Sequence, residues 1–175
     1  MNTLFRAHFL ALILVISGCA TPLETVVVPT DPTGWKLGYA SDRRGQTIAI
    51  YVPREESMDS WTRQFTIQFT DGVRTPPLEW MTNLESLMQK RCPGSYWKLI
   101  EQDSNSVLYE WKISNCAGHA NQHEVARLLK GNDGIHRIAY VEKNQNIAST
   151  VREKWIKSFL EAYVDKNGKR IVVAP

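Results

Sequence analysis

"WTRQFTIQFT", Trp61 to Thr70, alternates apolar and polar side chains with a period of two. Trp61, Phe65, Ile67 and Phe69 fall on one side, and Thr62, Gln64, Thr66, Gln68 and Thr70 on the other. Successive side chains of an extended chain point to opposite faces, so the stretch reads as a strand with one greasy face and one wet face. Only Arg63 interrupts the apolar row, and it sits near the strand start, where a long side chain can snorkel outward.

Working outward, "GWKLGYAS" and "QTIAIYVP" precede this strand as two short β-rich runs, separated by the turn "DRRG". On the other side, Thr70-Asp71-Gly72 ends the strand. Thr75, Pro76 and Pro77 then open a helix, with Thr75 as the capping hydroxyl and a proline in the first turn, where its missing N–H costs nothing. Pro77, Met81, Leu84 and Met88 share one side of that helix, and Trp80 and Leu87 broaden the stripe. Lys90 and Arg91 suit the negative end of the helix dipole, and Cys92-Pro93-Gly94 stops it.

A second β region follows: "YWKLIEQ", "VLYEWKIS", "QHEVARLLK" and "IHRIAYVEK". Gly131-Asn132-Asp133-Gly134 reads as a hairpin turn, because these residues tolerate positive φ. Thr150-Val151-Arg152-Glu153 has the capping-box pattern of a last helix, which turns Val151, Trp155, Phe159, Ala162 and Tyr163 to the sheet and ends at Asn167-Gly168. Strands that follow one another without a crossover favour antiparallel pairing. The expected fold is α+β: an antiparallel sheet of about six or seven strands flanked by two amphipathic helices on one or both faces.

This order of elements resembles the Mog1/PsbP-like fold. The pieces "YVPREESMDSWTRQFTIQFTDG", "RCPGSYW" and "NCAG" also resemble a group of uncharacterised proteobacterial exported proteins. The resemblance spans about residues 34 to 165 and implies a binding or accessory role more often than catalysis.

The N-terminus has a polar start carrying Arg6, then the apolar run Phe9 to Ile16, then Ser17, Gly18 and Cys19. Eight apolar residues at about 1.5 Å each fall short of a hydrocarbon core of roughly 30 Å, so the pattern is that of an export signal and not of a span. Ile16-Ser17-Gly18-Cys19 resembles the lipobox of bacterial lipoproteins. That resemblance implies lipid on the Cys19 thiol, cleavage before it and attachment to a membrane; two or three acyl chains would hold tightly. Ala20 in place of an aspartate implies the outer membrane, with the domain facing the periplasm. The expected organisation is a signal peptide at 1–18, a lipidated flexible tether at 19–34, one α+β domain at 35–168 and a tail at 169–175.

Removing the signal leaves about 157 residues, one ordinary domain. The net charge of +3 is small and mixed along the chain, which points away from a nucleic-acid partner. With Cys19 assigned to lipid, Cys92 and Cys116 form an even pair in an oxidising compartment, and a disulfide between them would close a loop of about 25 residues.

Signals for chemistry are weak. His119 and His123 have metal-ligand spacing for a helix, but on a strand positions four apart stand about 13 Å apart. His136, across the hairpin, would be the third ligand. No Gly-x-Ser-x-Gly elbow and no phosphate-cradling glycine loop occurs, so no catalytic residue and no cofactor is assigned. Glu55-Glu56 reads as part of a solvated turn. Most of the aromatics belong to the core; Tyr96 and Trp97, beside the Cys92 turn, are the candidates for an exposed partner-binding patch. The leading expectation is a non-enzymatic, membrane-anchored module that binds an envelope protein, such as a secretion or transport component or a toxin it neutralises. The alternatives are a tethered envelope hydrolase, which would hold His123 or His136 beside a carboxylate in a polar cleft, and a structural spacer.

Overall fold

The alternating stretch becomes strand β4, Arg63–Asp71, in a computed structural model that describes residues 24–116 and 118–165. The signal peptide, Cys19 and the 169–175 tail lie outside the described residues. Before β4 come β2 (Trp35–Arg43) and β3 (Gln46–Pro53); after it come helix α1 (Pro77–Arg91), then β5 (Tyr96–Gln102), β6 (Ser106–Ile113), β7 (Gln122–Lys130) and β8 (Gly134–Glu142). Helix α2 (Ser149–Glu161) closes the series. Two three-residue strands, β1 (Thr25–Val27) and β9 (Tyr163–Asp165), pair with each other apart from the main sheet.

The seven-stranded sheet runs β2-β3-β4-β8-β7-β6-β5, with every neighbouring pair antiparallel. A meander builds β2 to β4. Helix α1 carries the chain to the far edge, and a second meander returns from β5 to lay β8 beside β4.

Both faces of the sheet are buried. Phe65, Tyr51, Leu108, Val125, Ile138 and Tyr140 form one core with Trp155 and Phe159 of α2. Val107, Tyr109, Trp111, Ala126, Leu128, Ile135 and Ala139 form a second with Met81 of α1. The period-two pattern explains the split: odd positions of β4 face α2 and even ones face the α1 side. Gln64 and Thr66, on the expected wet face, are nonetheless buried. Trp155 anchors the first core, stacked on Tyr140 at 4.5 Å and on Phe65 at 5.1 Å between ring centroids. Burying a side chain such as Phe159 completely contributes about 2–3 kcal/mol.

Each edge strand carries an irregularity of register, between Leu37 and Tyr39 in β2 and between Leu99 and Glu101 in β5. Bulges of this kind twist an edge and discourage indiscriminate strand pairing. The expected disulfide is present: Cys92, just past α1, is bonded to Cys116 in the loop after β6.

Four local expectations need correction. The N-cap of α1 is Pro76 and not Thr75, with no side-chain cap hydrogen bond. The N-cap of α2 is Ala148, so the helix begins one residue before the expected capping box and forms no such box. The end of α2 comes at Glu161 and not at Asn167-Gly168. Ala162 turns extended and the chain continues into β9, leaving Tyr163 exposed instead of against the sheet. The physical cause is Arg127 of β7, whose guanidinium donates to the carbonyls of Phe159, Leu160 and Ala162 and ties off the last turn. Finally, the part of the 19–34 tether that is described is docked. Val26 and Val28 pack on the α2-side core, β1 pairs with β9, and Ser158 Oγ donates to the Pro29 carbonyl.

Candidate functional site

Alternation along β7 and β8 puts His123 and His136 on the α2 side of the sheet, each beside a carboxylate. His123 Nδ1 accepts the Ile147 N–H at 2.8 Å, so the neutral ring carries its proton on Nε2, which lies 3.5 Å from Glu110 Oε2. Glu110 also accepts from Arg152 Nε of α2 at 2.5 Å. Burial alone would raise the Glu110 carboxyl, but the hydrogen bond and charge of Arg152, helped by His123, hold it below its ordinary value. Burial pushes the His123 imidazole down, and the nearby Lys112 charge adds to this against the pull of Glu110.

His136 Nε2 lies 3.6 Å from Glu24 Oε2. The Glu24 carboxylate accepts the N–H groups of Asn132 at 2.6 Å and Asp133 at 3.2 Å, and so latches the N-terminal segment over the β7–β8 turn. The His136 ring packs against Phe69, 4.8 Å between centroids, and burial lowers its pKa more than Glu24 raises it. Nε2 of both imidazoles makes no hydrogen bond in the structure. These His–carboxylate pairs are the groups acid–base chemistry would use, yet all four side chains are buried.

His119 lies in the disulfide loop, bridged to Cys116 and exposed. His136 is level with Leu129 and His123 with Glu142, six residues along the strand pair, or about 20 Å. The three imidazoles therefore do not converge. Among the described residues no group of three His, Cys, Asp or Glu is placed to hold a metal ion.

On the α1 side, Glu124 accepts from Trp111 Nε1 at 2.7 Å and from Arg137 Nη2 at 2.5 Å, while Arg137 Nε reaches Tyr109 Oη at 3.4 Å. The Arg137 pKa rises under the Glu124 charge although burial opposes it, and burial raises Tyr109. Every member is satisfied, so this network fixes the β6–β7–β8 register.

Tyr96 and Trp97 part company because they are neighbours on a strand. Trp97 faces the α1-side core, stacked on Tyr109 and Trp111 at 5.6 and 6.0 Å. Tyr96 points the other way and is 47% exposed, with the Lys112 ammonium 5.5 Å from its ring. Leu99 on the same strand is 42% exposed. The opposite edge matches it: Leu37 and Tyr39 of β2 are also exposed, at 38% and 48%. These β2 residues were not legible as surface, because a lone apolar residue on a strand looks the same whether or not a layer covers it.

A cavity of about 150 Å³ lies between the docked N-terminal segment and the sheet. Val26, Val28, Trp35, Tyr51, Phe65 and Ile67 contribute to its lining. No signal in the sequence pointed to it, since its roof is the segment read as a tether.

No family model matches the chain, and no curated protein matches it. Among solved structures the fold does recur: its seven-stranded antiparallel sheet with two helices is the Mog1/PsbP-like α+β fold. The 1.9 Å crystal structure of the Saccharomyces cerevisiae Ran-binding protein Mog1p is similar over 81% of this chain and 95% of that one. The TM-score is 0.50 and the identity 11%, a likeness of fold alone.

Proposed function

We propose that the chain is a lipid-anchored module of the bacterial cell envelope that binds another envelope protein and is not an enzyme. The observation that carries the binding reading is the pair of exposed apolar edges: Leu37 and Tyr39 on β2, Tyr96 and Leu99 on β5. Exposed aromatic and aliphatic side chains on an ordered edge are what partner strands and loops dock against. The similar fold of Mog1p belongs to a Ran-binding protein, so a protein partner is in keeping with the architecture. The anchoring part, with the domain on the periplasmic side of the outer membrane, is supported by the lipobox-like Ile16-Ser17-Gly18-Cys19 and by Ala20 after it. The hydrolase alternative draws on the His123–Glu110 and His136–Glu24 pairs, but all four of these side chains are buried.

The test is site-specific photocrosslinking in cells, with a photoreactive residue at position 39, 96 or, as a control, at the exposed Glu153. A single reproducible adduct from 39 or 96 and none from 153 is the expected result. Adducts indistinguishable among the three positions would contradict a docking edge.

A further inference from the structure

We propose that the cavity beneath the N-terminal segment is a binding site for a small neutral aromatic molecule, a single ring with at most one polar atom. Protein interiors are packed like organic crystals, with few voids larger than a water molecule. The space of about 150 Å³ is lined by apolar side chains, is partly open to solvent, and has the size of a benzene-like guest. Trp35, Tyr51 and Phe65 supply ring faces and edges for stacking and edge-on contact. Val26, Val28 and Ile67 supply aliphatic walls.

Charge selects for a neutral guest. Among the described residues, Lys36 is the only charged one in the lining. Leu37 pairs with Tyr51, and both line the cavity, so strand alternation turns the Lys36 side chain toward the opposite sheet face. Among the described residues no cation is thus aimed inward to hold a carboxylate or phosphate.

Access follows from how the roof is held. Thr25 to Pro32 is tied down by the short β1–β9 ladder, the Ser158–Pro29 bond and the Glu24 latch, all within reach of local opening. The space is already partly open beside the exposed Leu37, so a guest can enter with at most a local shift of this segment and without disturbing the seven-stranded sheet.

The full chain, held in lipid nanodiscs and labelled at its valine and isoleucine methyls, is titrated with phenol and, separately, with benzoate. Saturable shifts from phenol at Val26, Val28 and Ile67, with ligand-to-methyl Overhauser contacts there and no saturation by benzoate, are expected. Folded Val28→Phe or Ile67→Phe should weaken phenol binding at least tenfold, while Leu87→Ala on the exposed side of α1 should leave it unchanged. Absence of saturable shifts in the unsubstituted chain would overturn the proposal, as would equal saturation by benzoate or undiminished binding by a folded filled variant. If both filled variants fail to fold, the Overhauser contacts in the unsubstituted chain decide alone: present they support the site, absent they overturn it.

Discussion

Arg127 shows how a single side chain ends a helix from thirty residues away. Its Nη1 serves three carbonyls at the C-terminus of α2 and its Nη2 donates to Ser106 Oγ at 2.8 Å, with Ser106 itself held by Asp103. Replacing it with methionine keeps much of the volume but strips buried carbonyls of their donor. Arg127→Met should therefore lower stability by about 3 kcal/mol in urea unfolding, with the loss traced to fraying of α2 by hydrogen exchange. His123 and His136 set a pH dependence. Both are held below the ordinary value of 6.5 when folded. As the pH falls below about 6.5, the unfolded chain takes up protons that the folded chain refuses, so stability falls with it. His123→Asn, which can still accept the Ile147 N–H, should make that loss between pH 7.5 and 5 shallower. An unchanged slope would show that His123 does not contribute to it.

At the scale of elements, the strands of the main sheet were readable because each is long enough to show period two or is bounded by Gly, Pro or Asn turns. β1 and β9 were not, since three residues carry no period and their pairing joins positions 136 to 140 apart in sequence. The end of α2 was unreadable for the same kind of reason: Asn167-Gly168 is a local stop signal, and the distant Arg127 overrides it. The Glu110–His123 pair needed the β6–β7 register, which the irregular disulfide loop between those strands conceals. That loop is where the covalent link acts. Cys92 and Cys116 are 24 residues apart, so the chain-entropy model gives the bond about 3–4 kcal/mol. Cys92→Ser/Cys116→Ser should lower the unfolding free energy by that amount, measured against the oxidised chain. A difference below about 1 kcal/mol would mean that the loop is already ordered in the unfolded ensemble.

For the whole molecule, the two faces of the sheet have different duties. The α1 face holds a closed polar network over a core that α1 covers, and it is a scaffold. The α2 face carries the docked N-terminal segment, the cavity and the Glu24 latch, five residues after the cysteine assigned to lipid. An anchored chain would thus leave the membrane and enter the fold almost at once, holding the domain close to the lipid surface. Fold class was legible in the order of elements, because antiparallel meanders and amphipathic helices advertise themselves locally. Function was not, since exposed apolar edges and an apolar cavity are made of the same residue types as a core.

The most direct test of the envelope-binding account is crosslinking in cells with mass-spectrometric identification, comparing the natural chain with Cys19→Ser. The account predicts one reproducible protein partner with the natural chain, lost or much reduced when position 19 is serine. Partners identical in the two chains, or none from a chain that is lipidated and folded, would contradict it.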